Sequence, residues 1–256
     1  MVGSVGVSLA KLETRRGWAL SLCEAAGEAG GSFGASTQPN RSGQIVGPAE
    51  DPARSTAEAA RRARGKVRRY CAANRLNRLG TLTYGGDGCH EIDQLVVDVG
   101  RFFRRLRSGL GGDPLPYLWV PEWHPSGHGL HVHFAVGQYI KRSLIADAWG
   151  HGFVHIKLLG DLPVGSGALG EARKAASYLS KYVGKAFADT RVPGRNRYDV
   201  GQGFQPLITP VWGSSRSEAI REASARMGGR APSYVWSSVQ TDGWQGPPAV
   251  WVQWSG

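Results

Sequence analysis

The chain has 256 residues, of which 41% are hydrophobic, and it carries a formal net charge of +11 with a sequence pI of about 10.0. This length and composition allow one large domain with a buried core, or one domain with extensions. The positive charge favours a polyanionic partner, usually nucleic acid, although a basic surface can also serve solubility alone. Arginine outnumbers lysine, which suits phosphate binding through its rigid fork of donors.

Cysteine usage and hydropathy bear on the compartment. Cys23, Cys71 and Cys89 are odd in number and widely spaced, and they form neither a disulfide framework nor a paired zinc-ligand pattern. No apolar run approaches the roughly 18 residues that a membrane helix needs. The N-terminus lacks the basic segment, apolar core and cleavage site of a secretory signal. We therefore expect a cytoplasmic protein without a membrane partner.

The N-terminal part of the chain is predicted to differ sharply from the segment after it. Residues 1–55 are rich in Gly, Ala and Ser, so we expect a weakly ordered arm with one short helix over residues 9–23. Residues 56–77 predict a strongly basic helix, whose basic face is either solvated or bound to nucleic acid. The predicted DNA-binding residues are Arg61, Arg62, Arg64, Lys66, Arg68, Arg69, Arg75 and Arg78.

The next segment alternates β-prone runs with an amphipathic stretch. Residues 79–84 form a β-prone run that two glycines stop, which predicts a strand. Residues 92–106 carry apolar side chains at helical spacing, and this stripe is expected to face the core. Two runs, residues 117–123 and 130–136, flank a turn rich in Pro, Ser and Gly and predict an antiparallel hairpin.

Further elements are predicted beyond the hairpin. They are a helix over residues 141–149, a strand over 153–159, a Gly-rich loop over 161–170, a helix over 168–188 and a loop-like stretch over 191–210. The C-terminal extension, residues 211–256, contains one predicted helix over residues 215–227 and two Trp-rich β-prone runs. We expect the functional domain to span residues 56–210.

A His-x-His motif, His131 and His133, lies inside the apolar run of the predicted hairpin. The two imidazoles point to one face of the strand, because side chains alternate with a period of two. Glu122 lies on the preceding strand, and its carboxylate could reach the same side. Two His and one carboxylate suit a divalent metal ion, or the non-haem iron of oxygen chemistry. His124 and His128, in the turn, are the alternatives to Glu122.

A doubled Tyr-x-x-Lys motif lies on the predicted helix over residues 168–188. Its members Tyr178, Lys181, Tyr182 and Lys185 share one stripe, since residues three or four apart face the same way. A tyrosine hydroxyl, with a pKa of about 10, becomes a better nucleophile beside an ammonium group. The structural alternative is packed aromatics beside solvated lysines. With the histidine motif, the pattern favours phosphodiester chemistry through a covalent phosphotyrosine.

Three motifs in this order resemble those of the HUH endonucleases, and among them the rolling-circle replication initiators (Rep proteins) of plasmids and single-stranded DNA phages. Thr81-Leu82-Thr83-Tyr84 is similar to the first motif, His131-Val132-His133 to the second and residues 178–185 to the third. The order is informative, because the relaxases of conjugation place the tyrosine before the histidines. The resemblance covers roughly residues 65–210.

The resemblance implies an α+β fold in which a central antiparallel β-sheet with flanking helices, an RRM-like palm, carries the metal site beside the tyrosine helix. It implies nicking of one strand of single-stranded or hairpin origin DNA, a 5′-phosphotyrosine, a free 3′-OH for a host polymerase, and later rejoining. A divalent ion, Mg²⁺ or Mn²⁺, held by His131, His133 and Glu122 is the implied cofactor.

The resemblance also divides the work between the two tyrosines. In the Lys-Tyr-x-x-Lys setting of plasmid initiators, Tyr182 with Lys185 holds the primary position. Tyr178, with Lys181 nearby, then lies where a second nucleophile is found, and phage gene A proteins use two tyrosines in this arrangement. We expect Tyr182 to attack first and Tyr178 to serve later strand transfer.

The sequence departs from some relatives of this kind. It has no GxxxxGK[ST] phosphate loop, so we expect a host helicase to unwind the DNA. It has no cysteine-rich zinc module, which weakens the interpretation as a HUH-type transposase, the alternative within the enzyme class. A non-catalytic basic DNA-binding repressor is the alternative outside that class. No feature of the sequence predicts an oligomeric state.

Overall fold

The computed structural model describes residues 16–35, 52–157, 167–188, 198–244 and 247–255. Within these residues the chain divides into two compact units. The larger unit contains residues 23–28, 52–157, 167–188 and 198–208, and the smaller unit contains residues 16–22, 29–35, 209–244 and 247–255.

Ten strands and five α-helices form in the described part of the chain. The strands are β1 (Arg16–Cys23), β2 (Glu28–Ala35), β3 (Arg78–Tyr84), β4 (Tyr117–Trp123), β5 (Leu130–Val136), β6 (Gly152–Lys157), β7 (Asp199–Val200), β8 (Thr209–Gly213), β9 (Tyr234–Ser237) and β10 (Ala249–Gln253). The helices are α1 (Pro52–Ala73), α2 (Ile92–Gly109), α3 (Arg142–Trp149), α4 (Gly167–Ala188) and α5 (Arg216–Arg226). None of these helices combines the length and the apolar composition that crossing a bilayer requires.

An antiparallel sheet in the order β6-β3-β5-β4-β7 forms the centre of the larger unit. The predicted hairpin of β4 and β5 is confirmed and lies in the middle of this sheet. The helices predicted around it are confirmed as α1, α2, α3 and α4. The expected α+β fold, a central antiparallel sheet with flanking helices consistent with a Rep-type palm, is therefore present.

The two faces of this sheet are covered by different hydrophobic clusters. Val132 and Phe134 of β5 pack with α2 and α3, whereas Ala135 packs with α1 and α4. Because successive side chains alternate between faces, the odd-numbered positions of β5 all face α4. At Gly80 of β3, an added Cβ would lie 2.4 Å from the ring of Phe134, so only glycine fits beneath that ring.

The loops predicted after β6 are only partly described. Residues 158–159 of the predicted strand and 161–166 of the predicted loop lie outside the described residues. Residues 167–170, also assigned to that loop, begin α4 instead. The loop-like stretch expected over residues 191–210 contains β7, which pairs with the edge of β4, so tertiary pairing supplied a strand without a strong local signal.

The N-terminal segment differs from its prediction. The helix expected over residues 9–23 is wrong where the chain is described, because Arg16–Cys23 is strand β1. With Glu28–Ala35 as β2, the described part of the expected arm forms two strands rather than a weakly ordered segment. The partner of β1 is β8, almost two hundred residues away, and local periodicity carries no trace of such a pairing.

The smaller unit is a second five-stranded sheet in the order β8-β1-β2-β10-β9. Helix α5 packs on it through Ala219 and Ala223, against buried strand residues that include Leu22 and Val252. Ser215 caps this helix by accepting a hydrogen bond from the backbone N–H of Glu218. The helix and β-prone runs predicted in the C-terminal extension are thus confirmed as parts of one sheet unit.

Arginines hold the turn between β1 and β2 within the larger unit. The buried Glu28 carboxylate accepts two hydrogen bonds from Arg68, at 2.8 and 3.1 Å. Arg69 lies 3.9 Å from the same carboxylate, and Arg75 and Arg173 donate to backbone carbonyl oxygens of the turn. The guanidinium groups of three predicted DNA contacts therefore bind the protein itself.

Arg68→Ala should lower the free energy of unfolding by about 3 kcal/mol, because it leaves the buried Glu28 carboxylate without its bidentate partner. Urea unfolding followed by circular dichroism measures this change. The matched control is Arg62→Ala, which removes an exposed arginine 3.7 Å from Glu58 on the same helix and should cost no more than about 0.5 kcal/mol. Equal effects of the two substitutions would contradict a structural role for Arg68.

Candidate metal and tyrosine site

The central hairpin brings one carboxylate and two imidazoles together. Glu122 of β4 lies directly opposite His131 of β5 in the antiparallel register, and His133 lies two residues later on the same face. One possible ligand atom from each of the three residues lies within 4.8 Å of the others. The two histidines are 8% and 5% exposed, so this polar cluster lies inside the protein under helix α4.

The Glu122 carboxylate is the hub of this cluster. Its Oε2 lies 3.1 Å from Nε2 of His131 and 2.8 Å from Nε2 of His133. Its Oε1 accepts a hydrogen bond of 2.7 Å from the ammonium group of Lys185 on α4. One carboxylate therefore connects the hairpin to the helix that carries the tyrosines.

Thr81 of β3 completes the surroundings of His133. The two residues are directly paired across β3 and β5, and the Thr81 hydroxyl lies 3.1 Å from Nδ1 of His133. When Nδ1 donates its proton to that hydroxyl, Nε2 keeps a free lone pair, which is the form that binds metal. The sequence showed Thr81 only as part of a motif. Its role depends on the position of β3 beside β5.

Burial and hydrogen bonding set the protonation states at the hub. Burial lowers the pKa of His133 to about 4, although Glu122 opposes this shift, and burial also lowers the pKa of His131. Burial alone would raise the pKa of Glu122, but hydrogen bonds from Lys185 and the two histidines outweigh it and the pKa is lowered. Near neutral pH the cluster therefore presents two neutral imidazoles and one carboxylate.

This donor set fits a divalent metal ion. Two neutral imidazole nitrogens and a carboxylate oxygen, all on one face of a rigid hairpin, are ligands that divalent ions accept while keeping positions open for a substrate. The second ring nitrogen of His133 is already hydrogen-bonded to Thr81, as is usual for metal-binding histidines. Glu122, His131 and His133 are thus the residues that would hold the ion.

The turn histidines occupy other positions. Nδ1 of His124 bonds to Ser126, and its ring centroid lies 5.1 Å from that of His131. Nε2 of His128 bonds to the backbone carbonyl oxygen of Tyr84. Among the described residues, Glu122 rather than either turn histidine forms the three-residue cluster with His131 and His133.

Helix α4 places both tyrosines against the cluster. The ring of Tyr182 stacks on His133, with centroids 3.7 Å apart and planes at 24°. The ring of Tyr178 lies edge-on to His133, at 6.4 Å. The Tyr182 hydroxyl donates a 2.6 Å hydrogen bond to the Tyr178 hydroxyl, so the two phenol groups form a connected pair. Tyr182 is thus the tyrosine in closer contact with the histidines.

Cations flank both phenol rings. The ammonium group of Lys185 lies 5.1 Å from the centroid of Tyr182 while it also binds Glu122. The ammonium group of Lys157, on β6, lies 4.0 Å from the centroid of Tyr178. Lys181, which the sequence placed in the same stripe, is exposed on α4. Sequence spacing therefore identified Lys185 but missed Lys157, whose strand was predicted without a functional role.

The hydroxyl of Tyr182 is a protonated hydrogen-bond donor in this arrangement. Burial raises the pKa of Tyr182, and so do the hydrogen bond to Tyr178 and the negative charge of Glu122. The phenolate needed for attack therefore requires added positive charge close by. A cation at the hub formed by Glu122, His131 and His133 would supply such charge.

The remaining predicted DNA-binding residues lie on the surface. Arg61, Arg62, Arg64, Lys66 and Arg78 are exposed. Nη1 of Arg64 lies 3.4 Å from where a Cβ on Gly184 would be, next to Lys185 on α4. The basic surface of α1 thus approaches the tyrosine helix close to the site.

The fold and the site together define a class of protein: an antiparallel Rep-type palm that presents a His-His-Glu cluster to a helix with two tyrosines. Residues 77–187 match the family model for the replication-associated protein ORF2. The match includes β3, the central hairpin and almost all of α4, and it supports a replication initiator that acts on DNA. No curated protein and no solved structure matches the chain.

Thr81→Val should weaken the binding of Mn²⁺ by about tenfold, because it removes the hydroxyl that orients the imidazole of His133. Isothermal titration calorimetry measures the affinity. Thr83→Val is the matched control: Thr83 lies on the same strand opposite His131, and its hydroxyl has no hydrogen bond within the described residues. Its affinity should stay within about twofold of the unsubstituted chain, and equal losses would exclude a specific role for Thr81.

The protein should lose stability as the pH falls from about 6.5 to about 4. In this window an unfolded histidine binds a proton, whereas His133, with its pKa lowered to about 4, stays neutral in the folded protein. The contribution of His133 is at most about 3 kcal/mol. Urea unfolding in chelator at several pH values should show a shallower decline for His133→Gln. His155→Gln, an exposed histidine on β6, should decline like the unsubstituted chain.

Proposed function

We propose that this chain is a metal-dependent HUH endonuclease and DNA strand transferase that initiates rolling-circle replication by nicking one strand of single-stranded or hairpin origin DNA. The observation that carries the proposal is the stacking of Tyr182 on His133, with centroids 3.7 Å apart. It places a hydroxyl nucleophile directly beside a metal-binding donor set. The match to a replication-associated family supports DNA as the substrate.

The metal supplies charge to the reaction. A divalent ion such as Mg²⁺ or Mn²⁺, held by Glu122, His131 and His133, would polarise the phosphate that is attacked. Nicking also requires the protein to bind and orient the strand. Exposed basic residues along α1, including Arg64 beside Gly184, would hold phosphates next to the tyrosine helix.

The covalent step exchanges one phosphodiester bond for another. The oxygen of Tyr182 attacks the phosphorus, the bond between phosphorus and O3′ breaks, and a 5′-phosphotyrosine and a free 3′-hydroxyl result. The phenol proton leaves along the hydrogen bond from Tyr182 to Tyr178, and the departing O3′ takes a proton from solvent. Lys185, 5.1 Å from the ring of Tyr182, stabilises the negative charge that develops on the phenol oxygen.

The geometry favours Tyr182 as the first nucleophile. Its ring contacts His133 face to face, whereas that of Tyr178 lies farther from His133 and edge-on. Tyr178 is hydrogen-bonded to Tyr182 and has its own cation, Lys157. It is therefore suited to accept a second strand when the first ester is resolved, which rejoins the DNA without spending a new cofactor. A host helicase and polymerase would extend the 3′-hydroxyl.

The test is the formation of a covalent adduct on DNA labelled at a chosen end. The purified chain is incubated with Mn²⁺ and a pool of random-sequence single-stranded oligonucleotides, then run on a denaturing gel. A label at the 3′ end should appear on the protein, because the tyrosine keeps the 5′ phosphate of the 3′ fragment. A label at the 5′ end should appear only on a shorter free oligonucleotide.

Tyr182→Phe should abolish this adduct, whereas Tyr178→Phe should form it but fail to rejoin the cleaved strand. The physical reason is that only Tyr182 stacks on the metal-binding histidine. Peptide mapping by mass spectrometry identifies the modified residue. An adduct on Tyr178 alone would reverse the assignment of roles.

The metal controls complete this experiment. His131→Ala, His133→Ala or added chelator should abolish the adduct and leave salt-sensitive DNA binding mostly intact, since binding depends on contacts with phosphates. An adduct on neither tyrosine, with DNA binding retained, would refute the nuclease and leave a DNA-binding repressor.

A further inference from the structure

A cavity of about 400 Å³ opens on the larger unit, at the end of the sheet where β5 leaves and β3 begins. Phe134, Ile145 and Ile156 form apolar walls, and Tyr139, 74% exposed, lines it from the surface. Pockets of roughly 300–1,000 Å³ with apolar walls and few polar groups are typical of small organic ligands. The walls belong to the hydrophobic cluster on the face away from the histidines, so the cavity is distinct from the metal cluster.

Two hydrogen-bond acceptors line this apolar cavity together. The amide nitrogen of Asn77 donates to the carboxylate of Glu171, which fixes the amide orientation, because a carboxylate only accepts. The amide oxygen of Asn77 is buried and has no hydrogen-bond partner within the described residues. Buried polar atoms are nearly always paired, so this oxygen calls for a donor on a ligand. Glu171 adds a second acceptor beside it.

Lys157 links this cavity to the tyrosines. It lines the cavity, and its ammonium group lies 4.0 Å from the ring centroid of Tyr178. A DNA strand whose phosphate lies at the tyrosine pair therefore has a neighbouring nucleotide within reach of the cavity. Lys157 and the exposed Arg78, which also lines the cavity, provide cations for the phosphates of that nucleotide.

We propose that this cavity binds an unpaired guanine base of the DNA strand, close to the phosphate that is cut; this inference rests on the proposed nuclease function. Apolar walls accept the flat base, and its hydrogen-bonding edge meets Asn77 and Glu171. Guanine presents two adjacent N–H donors on that edge, at N1 and at the 2-amino group, whereas adenine, cytosine and thymine present one. Two acceptors side by side therefore select guanine, and the ring of Tyr139 can stack on a neighbouring base.

The test is a binding selection that needs no cleavage. The full chain, in chelator, is equilibrated with a pool of random-sequence single-stranded oligonucleotides, and the bound fraction is sequenced. The unsubstituted chain should enrich guanine about tenfold at one position, as expected when a base edge is read by paired hydrogen bonds. Replacing that guanine by inosine, which lacks the 2-amino group, should remove most of the gain.

Two variants test whether the cavity is responsible. Asn77→Leu removes the free acceptor at similar volume, and Ile156→Trp fills the cavity; either should abolish the guanine preference at that position and preserve preferences elsewhere. The control is Val97→Trp, which adds the same ring to an exposed position on α2. Circular dichroism verifies folding, and if Ile156→Trp does not fold, Asn77→Leu decides alone.

Each outcome has a clear meaning. An identical sequence profile for the unsubstituted chain and a folded Asn77→Leu or Ile156→Trp variant would overturn the proposal, as would enrichment of a base other than guanine that these variants abolish. Binding without any base preference would overturn it as well. Because the selection contains chelator, its result does not depend on adduct formation. A guanine preference without adducts would refute the nuclease and retain the base site, and adducts without the preference would do the reverse.

Discussion

The carboxylate of Glu122 is the interaction on which the rest of the site depends. One oxygen contacts both histidines of β5, and the other accepts from Lys185 of α4. A partly buried carboxylate is stable only when its charge is compensated, and here a lysine and two imidazoles provide the compensation. The same contacts fix the distance between the strand that binds a metal and the helix that carries the nucleophile.

The sheet makes this polar cluster possible by burying both of its faces. All seven residues of β5 are buried, yet two of them are histidines. The apolar positions between them pack against α2 and α3, so the strand cannot turn or slip by one residue without exposing Val132 and Phe134 and burying the wrong side chains. The hydrophobic core on one face therefore holds the imidazoles in place on the other, and Gly80 permits the close packing by leaving room for the ring of Phe134.

Charge is distributed unevenly among the many arginines, and their roles depend on burial. Arg68 binds the buried carboxylate of Glu28 and Arg173 holds the adjoining turn, so these guanidinium groups serve the fold. Arg62 and Lys66 extend into solvent, where long-range attraction to phosphates costs no desolvation. A high net charge predicts affinity for nucleic acid but does not identify the contacts, because a paired arginine and a free one are identical in sequence.

The sequence by itself determined what local chemistry controls. Alternation along residues 130–136 put His131 and His133 on one face, helical spacing joined Tyr178, Tyr182 and Lys185, and apolar periodicity predicted α2. These features depend on neighbours a few residues apart, so the sequence is sufficient for them. Only the tertiary structure decided what depends on distant pairing: the register that sets Thr81 against His133, the approach of Lys157 to Tyr178, and the strands β1 and β2 where an arm was expected. The physical reason is that strand order and helix packing are chosen by the burial of the whole core, and no local pattern records which distant segment a strand will pair with.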